Sequence, residues 1–237
     1  MSDAVATQGD YYQRNAGWYD DYHLAVDLEH EFALDFMLST LERFSIRSIL
    51  DLGSGTGRVP LAVKKRHPTV RVIGIEPSLA LRERGYAKGL APHELIDGEG
   101  TKLPFTDGTF DLVCEYGALH HIKDHRAAVS EMMRVAKKAI FISDNNTFGW
   151  GSPRSTLVKR AARRFGLWKL AEYVATRGRG YMETKDDGIW YLYSAFDSFQ
   201  QIRPHCKMVH VLNIKDTSGA DLYKGTSHVA ILGLKAD

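Results

Sequence analysis

Apolar residues in this chain fall into short runs separated by longer stretches with helical periodicity. Ile49, Leu50 and Leu52 form a brief, nearly all-apolar run, the pattern of a strand buried on both faces. Similar runs at 70–75, 94–96, 111–115 and 139–143 predict four more strands. The intervening residues 59–65, 78–87 and 124–136 read as helices, the last with Ala128, Met132 and Val135 on its apolar side. Strand and helix in alternation predict a parallel, doubly wound α/β sheet. Upstream, 28–43 reads as a helix with Phe32, Phe36, Leu38 and Leu41 on or near one stripe. Downstream, Leu157, Ala161, Phe165, Trp168 and Ala171 recur at helical spacing, a helix is expected over 195–202, and runs at 207–214 and 228–235 predict two last strands. Gly219 and Gly225 mark the turn between them.

Composition narrows this little. The 237 residues are 44% hydrophobic and 25% charged, an ordinary globular balance for one domain with an insertion. No apolar run approaches the ~20 residues of a membrane span, and residues 1–10 are polar without a signal core, so a cytoplasmic protein is expected. Cys114 and Cys206 offer neither a disulfide framework nor zinc spacing. The expected division of the single domain is an N-terminal cap at 1–47, a Rossmann-like half at 48–145, a basic and aromatic insertion at 146–204, and closing strands at 205–237.

The chemistry begins after the first run. Asp51-Leu52-Gly53-Ser54-Gly55-Thr56-Gly57-Arg58 joins a strand to a helix through three glycines. Such a turn frees backbone N–H groups for a ligand and removes the Cβ atoms that would block it. The dinucleotide fingerprint G-x-G-x-x-G is not met, because Arg58 stands where its third glycine would be. Glu76 follows about twenty residues later, at the end of the second strand, where a carboxylate can accept both ribose hydroxyls of NAD or of S-adenosylmethionine.

The D-L-G-S-G-T-G pattern resembles motif I of the class I S-adenosylmethionine-dependent methyltransferases. Several other segments resemble the same family in the same order: Tyr12 to Tyr19 with Asp20, Glu76-Pro77-Ser78, Gly98 to Phe105 with Phe110-Asp111, and Leu119-His120-His121. The resemblance covers about residues 11–145. It implies a seven-stranded, mostly parallel sheet closed by an antiparallel pair, with an N-terminal helical lid and a helical insertion after strand five. It implies S-adenosylmethionine as cofactor. Asp51, Gly53, Ser54, Gly55 and Gly57 would take its methionine part and ribose, and Glu76, Pro77 and Ser78 its ribose and adenine edge. Glu99, with Gly100 and Thr101, would take the adenine, although Glu replaces the family's commoner Asp. Glu115 and Tyr116 would line the methionine end, and Tyr12 and Tyr19 would close over it. Those aromatics serve equally well as packing for the following helix.

His120, His121 and Asn145 are the candidate bases or orienters, against the alternative that a histidine in such a loop only caps or packs. Asp144 and Asn145 also suggest magnesium, but the matching acid after strand four is missing, so no metal is expected. The insertion carries Arg154, Lys159, Arg160, Arg163, Arg164, Lys169, Arg177 and Arg179 against the single acid Glu172. A solvated face, an anion pocket, a nucleic-acid patch and a membrane surface all fit that charge. Tyr116, His120, Arg177, Arg179 and Tyr181 are the candidate acceptor contacts. The expected reaction is methyl transfer to oxygen or nitrogen of a small anionic metabolite, or of a sugar- or nucleotide-linked acceptor. No stable nucleic-acid partner is expected, and the oligomeric state is not readable. The alternatives are an RNA or DNA methyltransferase, a non-catalytic S-adenosylmethionine-binding protein and, more weakly, an NAD-dependent dehydrogenase.

Overall fold

The computed structural model describes residues 3–17, 19–20, 28–184, 187–215 and 221–236, with backbone only for 3–6 and 224. Trp18, Tyr22 and Gly219 lie outside the described residues. The chain opens with α1 (Asp3–Asn15) and α2 (Leu28–Thr40). It continues through β1 (Ser48–Leu52), α3 (Arg58–Arg66), β2 (Arg71–Ile75), α4 (Leu79–Ala87), β3 (Leu95–Ile96), β4 (Phe110–Tyr116), α5 (His125–Val135) and β5 (Ala136–Asn145). The insertion holds α6 (Pro153–Arg164), α7 (Trp168–Ala175), β6 (Met182–Thr184) and β7 (Gly188–Trp190). The chain closes with α8 (Ala195–Ile202), β8 (Cys206–Asn213), α9 (Leu222–Gly225) and β9 (His228–Lys235).

Seven strands form one sheet in the order β3-β2-β1-β4-β5-β9-β8. β1 to β5 run parallel, and β9 is antiparallel to both β5 and β8. The expected closing pair is therefore β8 and β9. Side chains alternate across the sheet. Ile49, Cys114 and Phe141 pack on one face with Ala33, Met37, Val59 and Val63. Leu50, Val113, Ile140 and Ile142 pack on the other with Ala128, Met132 and Val135. Covering both faces explains why the strands read as continuous apolar runs. Leu103 is buried in the second cluster with Phe105 packed against it.

Helix ends follow their capping residues. Ser78 caps α4 by accepting from Leu81 N–H, Asp124 caps α5 through Ala127 N–H, and Ser152 precedes Pro153 at the start of α6. Two expectations are corrected. The buried stripe of α2 is Ala33, Leu34, Met37 and Leu38, at i, i+4 spacing, while Phe32 is 53% exposed. The basic segment is two helices, and Leu157 and Phe165 face outward from it. The small β6–β7 hairpin was not anticipated. Among the described residues, no helix is long and apolar enough to cross a membrane.

Candidate functional site

Strand order reverses between β1 and β4, and the C-terminal edge there is where open α/β sheets bind ligands. β1 ends at Leu52, and the loop behind it holds Gly53 at φ 69°, Gly55 at 56° and Gly57 at 86°. These are left-handed conformations that favour glycine. Space demands it too: a Cβ on Gly53 would lie 2.4 Å from Ala118 Cβ, and one on Gly57 2.2 Å from Leu90 Cδ1. Glu76, 4% exposed, sits at the exit of β2 and accepts from Gly55 N–H at 2.9 Å and Ser78 N–H at 2.8 Å. Burial pushes its carboxyl up to about 7, and Asp51 beneath the loop is likewise pushed up to about 7 by burial.

The N-terminal segment covers this loop. Tyr19 OH comes within 3.8 Å of where a Gly55 Cβ would stand, and the Tyr12 and Tyr19 rings lie 6.1 Å apart. Burial, with Glu76 nearby, raises both phenols. Asp20 latches the segment down by accepting from Thr56 Oγ1 and pairing with Lys88. The cavity left along the loop is about 40 Å³, lined by Tyr19, Asp51, Ser54, Arg58 and Tyr116 among others. A nucleoside needs several times that volume. Tyr19, which lines this cavity, belongs to the N-terminal segment rather than to the sheet. The cradle beneath fits an adenosyl cofactor: bare glycine backbone, a buried carboxylate at ribose spacing, and the start of α3. Gly100 is pressed against Leu52 and Ile122, while Pro77 and Glu99 are exposed at the rim.

Across the switch point the loop after β4 carries the histidines. His120 Nδ1 lies 2.6 Å from Asp144 Oδ1, and the other oxygen of Asp144 accepts from Leu119 N–H at 3.0 Å. His121 Nδ1 lies 2.6 Å from the Ile189 carbonyl, which can only accept, so this nitrogen carries the proton. Both Nε2 atoms then point at Asp187, each 3.4 Å from one carboxylate oxygen. Asp187 arrives on the β6–β7 hairpin, which Gln8 of α1 clasps by accepting from Ile189 N–H at 2.6 Å. Asp144 and Asp187 raise the His120 imidazole well above its ordinary value, against the opposing effect of burial. Asp144 in turn is held down at about 2, the His120 charge outweighing its burial. Among the described residues, His120, His121 and Asp187 are the one group whose nitrogen and carboxylate donors, all within 4.8 Å of one another, could hold a metal ion. The same three atoms are equally served by shared protons.

The predicted residues do not all meet. Glu115 is not at the cofactor cavity: it is wholly buried and accepts from Ala118, Leu119 and Ser143 N–H, holding the histidine loop in shape. Asn145 follows Asp144 on β5, so its side chain takes the opposite face of the sheet, away from His120. Its Oδ1 is buried and meets no hydrogen-bond partner among the described residues. That face holds a second polar cluster. His30 Nδ1 lies 2.7 Å from Ser143 Oγ, and the His30 ring lies 5.9 Å from His228 and 6.2 Å from Tyr116. Burial pushes His228 down to about 4, with Lys215 adding to the effect. Arg177 and Arg179 are exposed at the turn after α7, Arg179 over the Tyr181 ring and 3.8 Å from Glu183. Tyr181 packs on Ile189 and Tyr191, one layer from the histidines. Sequence reasoning missed Asp187 and His228. It also missed His30, whose signal was a histidine in register with the buried stripe of α2.

Comparison with known proteins falls on this half of the chain. Residues 50–142 match the family model described as "Methyltransferase domain". The chain is similar to a demethylmenaquinone methyltransferase of Thermus thermophilus, 36% identical over 93 residues, covering 38% of this chain and 42% of that protein. It is similar to the uncharacterized methyltransferase YcgJ of Bacillus subtilis, 32% identical over 133 residues, covering 54% of this chain and 50% of that protein. The chain thus spans half or less of the length of these curated relatives. The crystal structure of a Thermotoga maritima protein, described as a SAM-dependent methyltransferase and possible histamine N-methyltransferase, superposes with a TM-score of 0.59 at 18% identity. That superposition covers 96% of this chain and 99% of that one, a likeness of fold.

Proposed function

We propose that residues 50–142, which match the methyltransferase-domain model, form a class I, S-adenosylmethionine-dependent methyltransferase domain, and that the protein methylates an oxygen or nitrogen atom of a small molecule. One observation carries the reading. A buried Glu76 beneath the glycine loop and a His120 held by Asp144 stand on the same edge of the sheet, either side of the switch point. Gly53, Gly55 and Glu76 would hold the cofactor's methionine end and ribose. When bound, the cofactor supplies a methyl group already activated as a sulfonium. The protein then has to orient the acceptor, exclude water and receive a proton.

In its neutral form, which its raised titration places on the alkaline side, His120 receives that proton at Nε2, the atom facing Asp187, while Asp144 accepts from Nδ1–H and stabilises the resulting imidazolium. His121, fixed by the Ile189 carbonyl, and Tyr12 bound the same space; their rings lie 6.4 Å apart. Tyr12 and Tyr19 close the cavity from water. The groups gathered here suit a hydroxyl or amine. An anionic or sugar- or nucleotide-linked acceptor draws its support from Arg177 and Arg179, one layer further out. A nucleic-acid acceptor loses support, because Lys159, Arg160 and Arg163 are spent on the body of the protein.

The test has two stages. Calorimetry should detect S-adenosylmethionine and S-adenosylhomocysteine binding, lost in Glu76→Ala and kept in His120→Asn. Labelled methyl transfer into a small-molecule extract should then fail in His120→Asn. Failure of the unaltered protein to bind either ligand sinks the proposal.

A further inference from the structure

α6 is built inside out. Its inward positions are Thr156, Lys159, Arg160 and Arg163, at i, i+3, i+4 and i+7 spacing. Lys159 donates to the Thr147 carbonyl at 3.0 Å and the Trp150 carbonyl at 2.8 Å. Arg160 lies 5.4 Å over the Tyr223 ring, and Arg163 lies 5.3 Å over Phe148 while pairing with Asp197. The opposite side carries the apolar residues: Leu157 is 68% exposed, Val158 66% and Phe165 75%. After the Gly166 turn, Leu167, Leu170, Tyr173 and Val174 continue the exposed apolar set across α7, each more than half exposed. Seven of the twelve exposed large hydrophobic residues among those described thus fall within 157–174, concentrated on this one helical hairpin.

A surface helix ordinarily turns its apolar stripe to the core, since burying a Leu or Phe side chain contributes ~1.5–3 kcal/mol. Among the described residues, that gain is not taken up. The exposed basic residues Arg154, Arg164 and Lys169 lie among the apolar ones, and the only acid in the hairpin is Glu172. A second copy would bring the same cations against each other in a drying interface with almost no counter-charge, which is costly. An anionic lipid surface meets both demands together: acyl chains for the apolar side chains, headgroups for the cations.

We propose that the α6–α7 hairpin docks the protein on an anionic membrane surface, lying in the interface without spanning it. The hairpin is anchored to residues 147–150, directly after β5, so docking holds the catalytic edge of the sheet close to the lipid. The inference does not depend on the methyl-transfer reading, and its test needs no acceptor.

The test is flotation of the full chain with phosphatidylcholine vesicles, with and without about one-third phosphatidylglycerol. Binding is expected to the anionic vesicles and to fall steeply with added salt. Leu157→Ser combined with Phe165→Ser should weaken it at least ~tenfold. These side chains are solvent-exposed, so the melting temperature and the cofactor affinity should stay unchanged. Arg154→Ala with Lys169→Ala should weaken binding and flatten its salt dependence. Absence of binding to anionic vesicles at low salt overturns the proposal. So does binding indifferent to the two serine replacements, which would be charge attraction alone. So does concentration-dependent dimerisation, or capture of an acidic protein, that the serine replacements abolish while lipid binding is absent.

Discussion

Asp187→Asn is the sharpest probe of the histidine pair. The change removes a negative charge 3.4 Å from His120 Nε2 and 3.4 Å from His121 Nε2, with almost no change of shape. Unit charges at that separation attract by ~5 kcal/mol at an effective dielectric near 20 and by ~1 kcal/mol in bulk water. The Asp187 side chain is 43% exposed, so screening brings the value towards the lower limit. About 1.5 kcal/mol is a reasonable working figure, which is roughly one pH unit for His120. His120 keeps Asp144, so its imidazole should drop by that amount and stay above its ordinary value. The readout is an NMR titration of the His120 ring, which requires no acceptor. A stability measurement supplies the sign. A histidine raised in the folded state contributes stability that is complete below its unfolded pKa of ~6.5 and is lost as pH rises through the folded value. A depressed carboxylate such as Asp187 contributes stability that is present above its unfolded pKa of ~3.9. The variant should therefore be least stable relative to the parent between about pH 4 and 6.5, and should converge with it in alkali. A His120 titration that stays put, or moves upward, would refute the assignment of Asp187 as its partner.

Glu76 and Asp51 are pushed up to about 7, so ionising them for the cofactor releases protons. Affinity for S-adenosylmethionine should rise from about pH 6 to about pH 8, with calorimetric heats that depend on the buffer; a flat profile contradicts this. His228, held neutral by burial at about 4, is disfavoured as it charges, so the fold should lose ~3 kcal/mol of stability at this site as pH falls from ~6.5 to ~4. His228→Gln should remove that difference in denaturant titrations at the two pH values, and parallel curves for the two proteins would dismiss it. A Cβ on Gly149 would stand 1.7 Å from the Thr226 carbonyl oxygen, which must move. Gly149→Ala should cost ~1–3 kcal/mol and lower the melting temperature by roughly 3–10 °C, and an unchanged melt would show that this contact is not tight.

Much of the protein was legible from local pattern. Strands buried on both faces read as apolar runs, because every side chain along them must be apolar. The glycine turn read as a cradle because left-handed backbone and close approach select glycine whatever surrounds it. Glu76 followed from the fixed geometry of a strand beside that turn. The loop Leu119-His120-His121 was located by its resemblance to the methyltransferase family. What the sequence by itself determined, then, was the strands of the main sheet and the helices between them, in chain order, with the loop at the end of each of those strands; the β6–β7 hairpin and the division of the basic segment into α6 and α7 lay beyond it.

Only the tertiary structure decided what meets what. Asp187 reaches His120 because a short hairpin folds back across the sheet, and no spacing in the chain encodes that return. Asp144 and Asn145 are neighbours in sequence, yet the two-residue period of a strand sends them to opposite faces, one to His120 and the other to the side of His30. Glu115 reads as an available acid until three backbone N–H groups are seen to consume it. α6 shows the same limit most plainly. Periodicity revealed its apolar and basic sides, but which side turns inward was set by Phe148, Tyr223 and Asp197, three residues on separate elements. A period reports that two faces differ; the partner that each face finds is a property of the packed chain.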